Sequence, residues 1–210
     1  VQFISKDPQI EDYWRGIILF GRNVASYKFA LAQALLELKP QAGELIKLGD
    51  LAPVYAKHIS QHLKQADKQA TSSSSQFLDA CRQYNQNSLT QNELTEQTIR
   101  LGFNNVIDAF HKVGNTDVAQ RFYNDERKSN QGIRITDAFS KLLLCQQSAN
   151  LPQEVESRWH LVETAWALNV AQSVLSIGYD HENKTLFALD KKQRRKSVTG
   201  SREALSGYQK

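Results

Sequence analysis

Several features that identify common classes of protein are missing from this sequence. It has two cysteines and no Cys-x-x-Cys pair, so a cysteine-ligated zinc site and a disulfide framework are excluded. A glycine-rich phosphate loop and a nucleophile elbow are also missing, and no catalytic residues can be assigned from such motifs. Its apolar runs are short, such as "IILF" at 17–20, and the first residues lack a signal-peptide layout. We therefore expect no membrane span and no export.

Methionine is absent as well, which predicts that the sequence begins inside a longer reading frame. The cysteines, Cys81 and Cys145, lie far apart in the sequence, and we expect both to be buried thiols in a cytoplasmic protein. Of the 210 residues, 40% are apolar and 23% are charged. This size and composition are typical of a globular protein that buries its core without disulfides.

Apolar periodicity predicts a mainly α fold, a multi-helix bundle with one or two short β-hairpins. Two helix starts are marked by capping residues: Thr90, which precedes Glu93 with the spacing of a capping box, and Asp50. The predicted helices cover about residues 8–20, 22–38, 50–68, 74–86, 90–101, 103–112, 136–147 and 152–170.

The helix predicted over residues 22–38 is apolar around more than half of its circumference, with Val24 in one of its two apolar stripes. Such a helix packs on two sides, so we expect it at the centre of the bundle. Lys28 falls between the stripes, and its amine is expected to reach water or a carboxylate. In the last long helix, Trp159 and Trp166 share one face, a spacing typical of core rather than of a binding platform.

Short β-hairpins are predicted near residues 121–136 and 173–190, where alternating apolar residues flank turn sequences. We therefore divide the chain into a helical domain, residues 1–172, and a second segment, residues 173–210. The second segment holds the second hairpin, a basic neck and the start of another helix near Ser201.

Positive charge is concentrated late in the sequence. Residues 181–210 carry a net charge of +5, whereas residues 1–180 carry −1. This asymmetry favours a polyanionic partner, and we expect DNA or RNA bound through its phosphates, with double-stranded DNA as the preferred form and an exposed linker as the alternative. The residues expected to contact nucleic acid are Lys191, Lys192, Arg194, Arg195, Lys196 and Arg202.

Two histidines, His58 and His62, are four residues apart on one predicted helix. Two imidazoles at this spacing can bind one metal ion, but no third ligand is apparent nearby in the sequence. We therefore expect hydrogen-bonded histidines and assign no metal site to this chain.

A second pattern has the spacing of a restriction-type, PD-(D/E)xK-like nuclease. Asp180 would follow one strand, and Asp190 and Lys192 would follow the next, with Glu163 as a further ligand of a divalent ion. This self-contained nuclease is one alternative interpretation of the chain. Another is a helical interaction module without any enzymatic or nucleic-acid role.

Several segments together resemble the N-terminal region of bacterial HNH endonucleases, and the resemblance covers nearly the whole chain. It rests on the likeness of whole segments and not on a catalytic signature. The segments are "YWRGIILFGRNVASYKFALAQALLEL" (13–38), "RLGFNNVIDAFH" (100–111), "RFYNDERK" (121–128), "NLPQEVESRWHLVETAW" (150–166) and "SREALSGYQK" (201–210).

The resemblance implies that a ββα-metal nuclease module follows the segment similar to "GYQK" and supplies the Cys-x-x-Cys pair, the catalytic histidine and the divalent metal. None of those residues occurs here, so no catalytic residue is assigned and the chain alone is expected to be inactive. The resemblance also implies a role of the parent enzyme in restriction or phage defence. The helical domain would then serve as a scaffold that binds DNA, forms a homodimer or binds a partner protein of the defence system.

Overall fold

The computed structural model describes residues 4–6, 8–19, 23–72, 74–114, 116–167, 176–180 and 185–189. Over these ranges the fold is mainly helical with small antiparallel sheets, which confirms the predicted fold class. The helices are α1 (Ile10–Leu19), α2 (Tyr27–Leu38), α3 (Leu48–Leu63), α4 (Gln76–Asn85), α5 (Gln91–Gln97), α6 (Val106–Ala109), α7 (Arg127–Asn130), α8 (Asp137–Leu144) and α9 (Leu151–Ala167). The strands are β1 (Ile4–Lys6), β2 (Leu45–Lys47), β3 (Lys112–Val113), β4 (Thr116–Asp117), β5 (Tyr123–Glu126), β6 (Gly132–Ile135), β7 (Ser176–Asp180) and β8 (Thr185–Leu189).

Helix α2 is the centre of the bundle, as its apolar circumference predicts. Every residue from 28 to 36 is buried, and α1, α3, α6 and α9 all contact this helix. No helix in the described ranges has the length and apolar character that crossing a membrane would require.

The N-terminal part of the helix predicted over residues 22–38 is not helical. The backbone N–H of Ser26 donates to the carbonyl of Gln69 at 3.0 Å, and that of Thr71 donates to the carbonyl of Val24 at 2.9 Å. This pairing with a distant segment holds residues 24–26 out of the helix, which therefore begins at Tyr27. As a result, Val24 is 57% exposed instead of lying in the apolar stripe.

Aromatic side chains fill the core on the α1 side of α2. The indole of Trp14 lies with its ring centroid 5.2 Å from that of Phe122 and 5.8 Å from that of Phe110, and Phe139 completes the group. Near α9, Trp159 and Trp166 are both buried, as their shared helix face predicts.

Both predicted hairpins are present, and each gains a third strand. Strands β5 and β6 pair as an antiparallel hairpin joined by α7, and β2 adds to the other side of β6. Strands β7 and β8 form the second hairpin, and β1 adds to the other side of β8, with Ile4 opposite Phe187. The sheet formed by β7 and β8 therefore includes a strand from the beginning of the described chain.

One of the two predicted N-caps is observed. Thr90 and Glu93 form the predicted capping box at α5. Asp50 is not an N-cap, because α3 begins earlier, at Leu48, and Asp50 lies in its first turn. The helix predicted over 103–112 is reduced to α6, since residues 112–113 pair with β4 instead. Helix α5 continues into a π-helical turn at Thr98–Gly102.

The pairing of β2 with β6 predicts that Gly132 tolerates no side chain. A Cβ atom at this position would lie 2.3 Å from the carbonyl oxygen of Ile46, which is backbone and cannot move aside without disturbing β2. We expect Gly132→Ala to lower the free energy of unfolding by about 2 kcal/mol or more. Urea denaturation followed by tryptophan fluorescence measures this loss.

Gly49→Ala is the matched control, since nothing lies within 4 Å of a Cβ atom there and the residue is in α3. Its stability should stay unchanged or rise by up to about 1 kcal/mol through helix propensity. Equal stability of the two variants would contradict the strand register.

Candidate functional site

Four ionisable side chains from α3 and α9 meet at one point beside the core. Their convergence follows from helix geometry, since residues 156, 160 and 163 are spaced by four and three positions and so lie on one face of α9. His62, near the C-terminal end of α3, faces them. The members of this His/Glu cluster are His62, Glu156, His160 and Glu163.

The two imidazoles and two carboxylates form a closed ring of short nitrogen–oxygen contacts, three of which are hydrogen bonds. Glu163 contacts the Nδ1 atom of both rings, at 2.7 Å for His62 and 3.1 Å for His160. Glu156 contacts the Nε2 atom of both rings, at 3.2 Å for His62 and 3.0 Å for His160. Each histidine therefore lies between two carboxylates, and each carboxylate lies between two histidines.

Buried groups around the cluster hold it in place. The ring of His62 is stacked on the indole of Trp159, with centroids 3.5 Å apart and planes within 1° of parallel. The indole Nε1–H donates to Gln69 Oε1 at 2.9 Å, and Gln69 Nε2 donates to Glu163 Oε1 at 2.5 Å. From α2, Gln33 donates to Glu156 Oε2 at 3.2 Å. The outer contacts therefore fix the ring of His62 and both carboxylates.

One half of the cluster is buried and the other faces solvent. The side chains of His62 and Glu163 are 6% and 5% exposed, whereas those of His160 and Glu156 are 48% and 41% exposed. Burial by itself lowers the pKa of His62, but hydrogen bonds and attraction from Glu156 and Glu163 outweigh it and raise the pKa to about 9. The hydrogen bond to His62 lowers the pKa of Glu156.

The cluster has the donor atoms of a metal site. One ligand atom each from His62, His160 and Glu163 lies within 4.8 Å of the other two. Imidazole nitrogens and a carboxylate oxygen are a donor set that zinc uses in proteins. No other group of three such residues in the described ranges meets the same distance criterion.

The pair His58 and His62 does not converge on one ion. His58 Nε2 lies 2.9 Å from Glu37 Oε2, on the α2 side of the helix, whereas His62 faces α9. Burial lowers the pKa of His58. The expectation of hydrogen-bonded histidines is correct for both residues, but their partners are different.

The restriction-type arrangement falls mostly outside the described residues, which include Asp180 at the end of β7 but neither Asp190 nor Lys192. Glu163, the further ligand expected for that site, is instead bonded to His62, Gln69 and His160. The candidate nucleic-acid contacts also lie outside the described residues. They are Lys191, Lys192, Arg194, Arg195, Lys196 and Arg202.

Two side chains have surroundings that the sequence does not predict. In the described ranges Lys28 forms no ion pair with a carboxylate; its amine donates to the carbonyl of Lys112 at 3.1 Å, and the residue is buried. Burial lowers the pKa of this amine to about 8. Cys81 is buried as expected, but Cys145 is partly exposed because it follows the end of α8, and its thiol donates to the carbonyl of Lys141.

A further histidine, His111, is buried in the aromatic core far from carboxylates. Its Nε2 atom accepts the backbone N–H of Phe122 at 2.9 Å. Burial, together with the positive charges of Arg121 and Lys28, lowers its pKa to about 3. The surroundings of the two buried histidines therefore shift their pKa values in opposite directions, downward for His111 and upward for His62.

The sequence contains a signal for the His/Glu cluster that the metal-spacing argument missed. Glu156, His160 and Glu163 have the spacing of one helix face, which indicates a stripe of ionisable residues beside the apolar face of α9. Their partner His62 is about 100 positions away, and no local pattern joins it to them.

No model of a known protein family, no curated protein and no solved structure matches this chain. The function therefore has to be argued from the chain's own residues.

Glu163 is expected to stabilise the fold through its buried hydrogen bonds. In the presence of a chelator, Glu163→Gln should lower the free energy of unfolding by about 1.5–3 kcal/mol, because a charged acceptor is removed from two imidazoles and an amide. The control is Glu37→Gln, which breaks a more exposed contact with Lys57 and His58 and should cost less than about 1 kcal/mol. Comparable losses in urea denaturation would contradict a special role of the buried cluster.

His111 should make the protein less stable in acid. Between its ordinary pKa of 6.5 and its folded-state pKa of about 3, the unfolded chain binds a proton that the folded chain does not. This contribution is complete above pH 6.5 and is lost as the pH falls toward 3, at up to about 1.4 kcal/mol per pH unit.

His111→Gln keeps an acceptor for Phe122 and removes the titration. Its unfolding free energy should therefore fall less steeply between pH 6 and pH 4 than that of the unaltered protein. Parallel pH profiles would show that His111 does not titrate in this range on unfolding.

Proposed function

We propose that this chain is the N-terminal, DNA-binding helical region of a metal-dependent, HNH-type nuclease with a role in restriction or phage defence. The observation that carries the proposal is the separation of charge, with +5 on residues 181–210 and −1 on residues 1–180. The resemblance of five segments to such enzymes supports it. The divalent metal and catalytic residues would belong to a module outside these 210 residues, so the chain should bind duplex DNA without cleaving it.

Most arginines of the helical body are paired with carboxylates, which supports the later basic residues as the part of the chain that attracts a polyanion. Five arginines of the described ranges pair with carboxylates, so that much of the positive charge of the body is balanced internally. These pairs are Arg15 with Glu154, Arg82 with Asp67 and Asp79, Arg121 with Asp117, Arg127 with Asp108 and Asp125, and Arg134 with Glu126.

The position of the basic run in the sequence is also suited to the task. Strand β8 ends at Leu189 and is paired on one side with β7 and on the other with β1. Lys191 follows two positions later. The candidate phosphate-binding residues therefore follow the central strand of this sheet directly in the sequence.

Fluorescence anisotropy with a labelled DNA duplex tests the proposal. Replacing Arg194, Arg195 and Lys196 together by alanine should weaken binding and reduce the slope of log K against log salt concentration by up to about 2.7, if each residue neutralises one phosphate. Sequence-scrambled duplexes should bind equally well, because phosphate contacts do not read bases.

A charge-matched control replaces Lys64, Lys128 and Lys141, three exposed lysines of the helical body, by alanine. This variant should keep the salt slope of the unaltered chain. An equal effect of the two triple variants, or no effect of the first, would contradict a specific role for the basic run.

The same samples distinguish the restriction-type alternative. With Mg²⁺ or Mn²⁺ added, a supercoiled plasmid should remain uncut by these 210 residues. Nicking that disappears in the variant Asp180→Asn would replace the proposal with a self-contained nuclease that uses Asp180, Asp190 and Lys192.

A further inference from the structure

The His/Glu cluster carries an inference that does not depend on nucleic-acid binding. We propose that His62, His160 and Glu163 bind one Zn²⁺ ion between α3 and α9, and that Glu156 holds the two imidazoles from the opposite side. This site is distinct from the metal site that the HNH resemblance implies, which would lie in another module.

The ligand atoms lie close enough together for one ion to contact all three residues, since one atom from each lies within 4.8 Å of the others. Bonds of about 2.0–2.1 Å in tetrahedral geometry place ligand atoms about 3.4 Å apart. The Nδ1 atoms of His62 and His160 lie 2.7 and 3.1 Å from the two carboxylate oxygens of Glu163. Binding of an ion would replace these contacts with bonds to the metal and would release the proton that His62 holds at the ligating nitrogen.

Zinc sites in proteins use a second layer of contacts around the ligands, and Glu156 is placed to supply one here. A histidine bound to zinc through one nitrogen usually donates its other N–H to a carboxylate, which fixes the ring and raises its basicity. If the Nδ1 atoms of His62 and His160 bind the ion, the Nε2 atom of His62 is hydrogen-bonded to Glu156, and the Nε2 atom of His160 lies 3.0 Å from an oxygen of the same carboxylate. Glu156 is therefore a positioning residue shared by the two rings.

The buried ligands of the proposed site are held rigidly, and the third ligand is accessible to solvent. The stack on Trp159 fixes the ring of His62, and the hydrogen bond from Gln69 fixes the carboxylate of Glu163. His160 is half exposed, so an ion can enter from solvent without unfolding the bundle. Three protein ligands leave one of four coordination positions for water, as in zinc sites that are open to solvent.

The donor set selects among metals. Two imidazole nitrogens and one carboxylate favour zinc and neighbouring transition metals, whereas Mg²⁺ and Ca²⁺ prefer sites built entirely of oxygen ligands. We therefore expect Zn²⁺ and Co²⁺ to bind, and Mg²⁺ not to compete with them.

The test uses the untagged chain after removal of metal with a chelator. Titration of Zn²⁺ against a chromogenic chelator should show saturable binding of one ion per chain, unaffected by excess Mg²⁺. Co²⁺ should produce the intense visible absorption of a four-coordinate ion. A chain that binds no stoichiometric Zn²⁺ would overturn the proposal.

Variants assign the ion to the cluster. His160→Ala removes a half-exposed ligand, so the fold should be retained by circular dichroism, while the affinity for Zn²⁺ falls by more than about 100-fold. Glu156→Gln should weaken binding by about 10- to 100-fold, the range found for outer-shell partners. His58→Ala, one turn earlier on α3 and bonded to Glu37, is the control and should bind as the unaltered chain does.

If His160→Ala binds Zn²⁺ as tightly as the unaltered chain, or if His58→Ala loses as much affinity, the ion lies elsewhere and the proposal is wrong. The anisotropy experiment with DNA has no bearing on this result, because none of the cluster residues is altered there. The two proposals can therefore fail separately.

Discussion

The structure depends on the burial of residues 28–36 of helix α2. With every residue from 28 to 36 removed from solvent, this helix must be surrounded by other elements, and α1, α3, α6 and α9 supply that cover. Burial of apolar surface is a major stabilising contribution to such a bundle. It also decides which other helices become neighbours, because α3 and α9 both pack on α2 and so come together beside it.

The polar residues of α2 show how the same constraint creates the site. Gln33 bonds both the carbonyl of Pro152 and the carboxylate of Glu156, and Glu37 bonds Lys57 and His58. These contacts connect the central helix to α9 and α3 at the level where the His/Glu cluster forms. The cluster is thus a product of the core packing, assembled from residues that α2 brings within reach of one another.

The structure stabilises its buried ionisable groups in three different ways. Lys28 donates to a backbone carbonyl, His111 accepts from a backbone N–H, and Glu163 bonds two imidazoles and an amide. In the first two cases burial lowers the pKa and favours the neutral form. In the His/Glu cluster, by contrast, the carboxylates raise the pKa of His62, and the hydrogen bond to His62 lowers the pKa of Glu156. Only this last arrangement concentrates several metal-binding atoms at one point, which is why it is the candidate site.

Local signals account for what the sequence predicts correctly. The capping box at Thr90, the core face of Trp159 and Trp166 and both hairpins depend on residues close together in the chain. The sequence does not reveal β1, β2 or the late start of α2, because each is determined by pairing with a distant segment. The same holds for the His/Glu cluster, since periodicity gives the face of a helix but not which helix will pack against it.

The pairing of β1 with β8 affects the order in which the protein can fold. Ile4 and Phe187 are opposite each other in one sheet, although more than 180 positions separate them in the chain. During synthesis β1 cannot pair with β8 until nearly all of these residues have left the ribosome. Strands β5 and β6, by contrast, can pair as soon as both have emerged. Contacts of such long range are slow to form. The sheet that precedes the basic run is therefore expected to be completed last, on a bundle that is already packed.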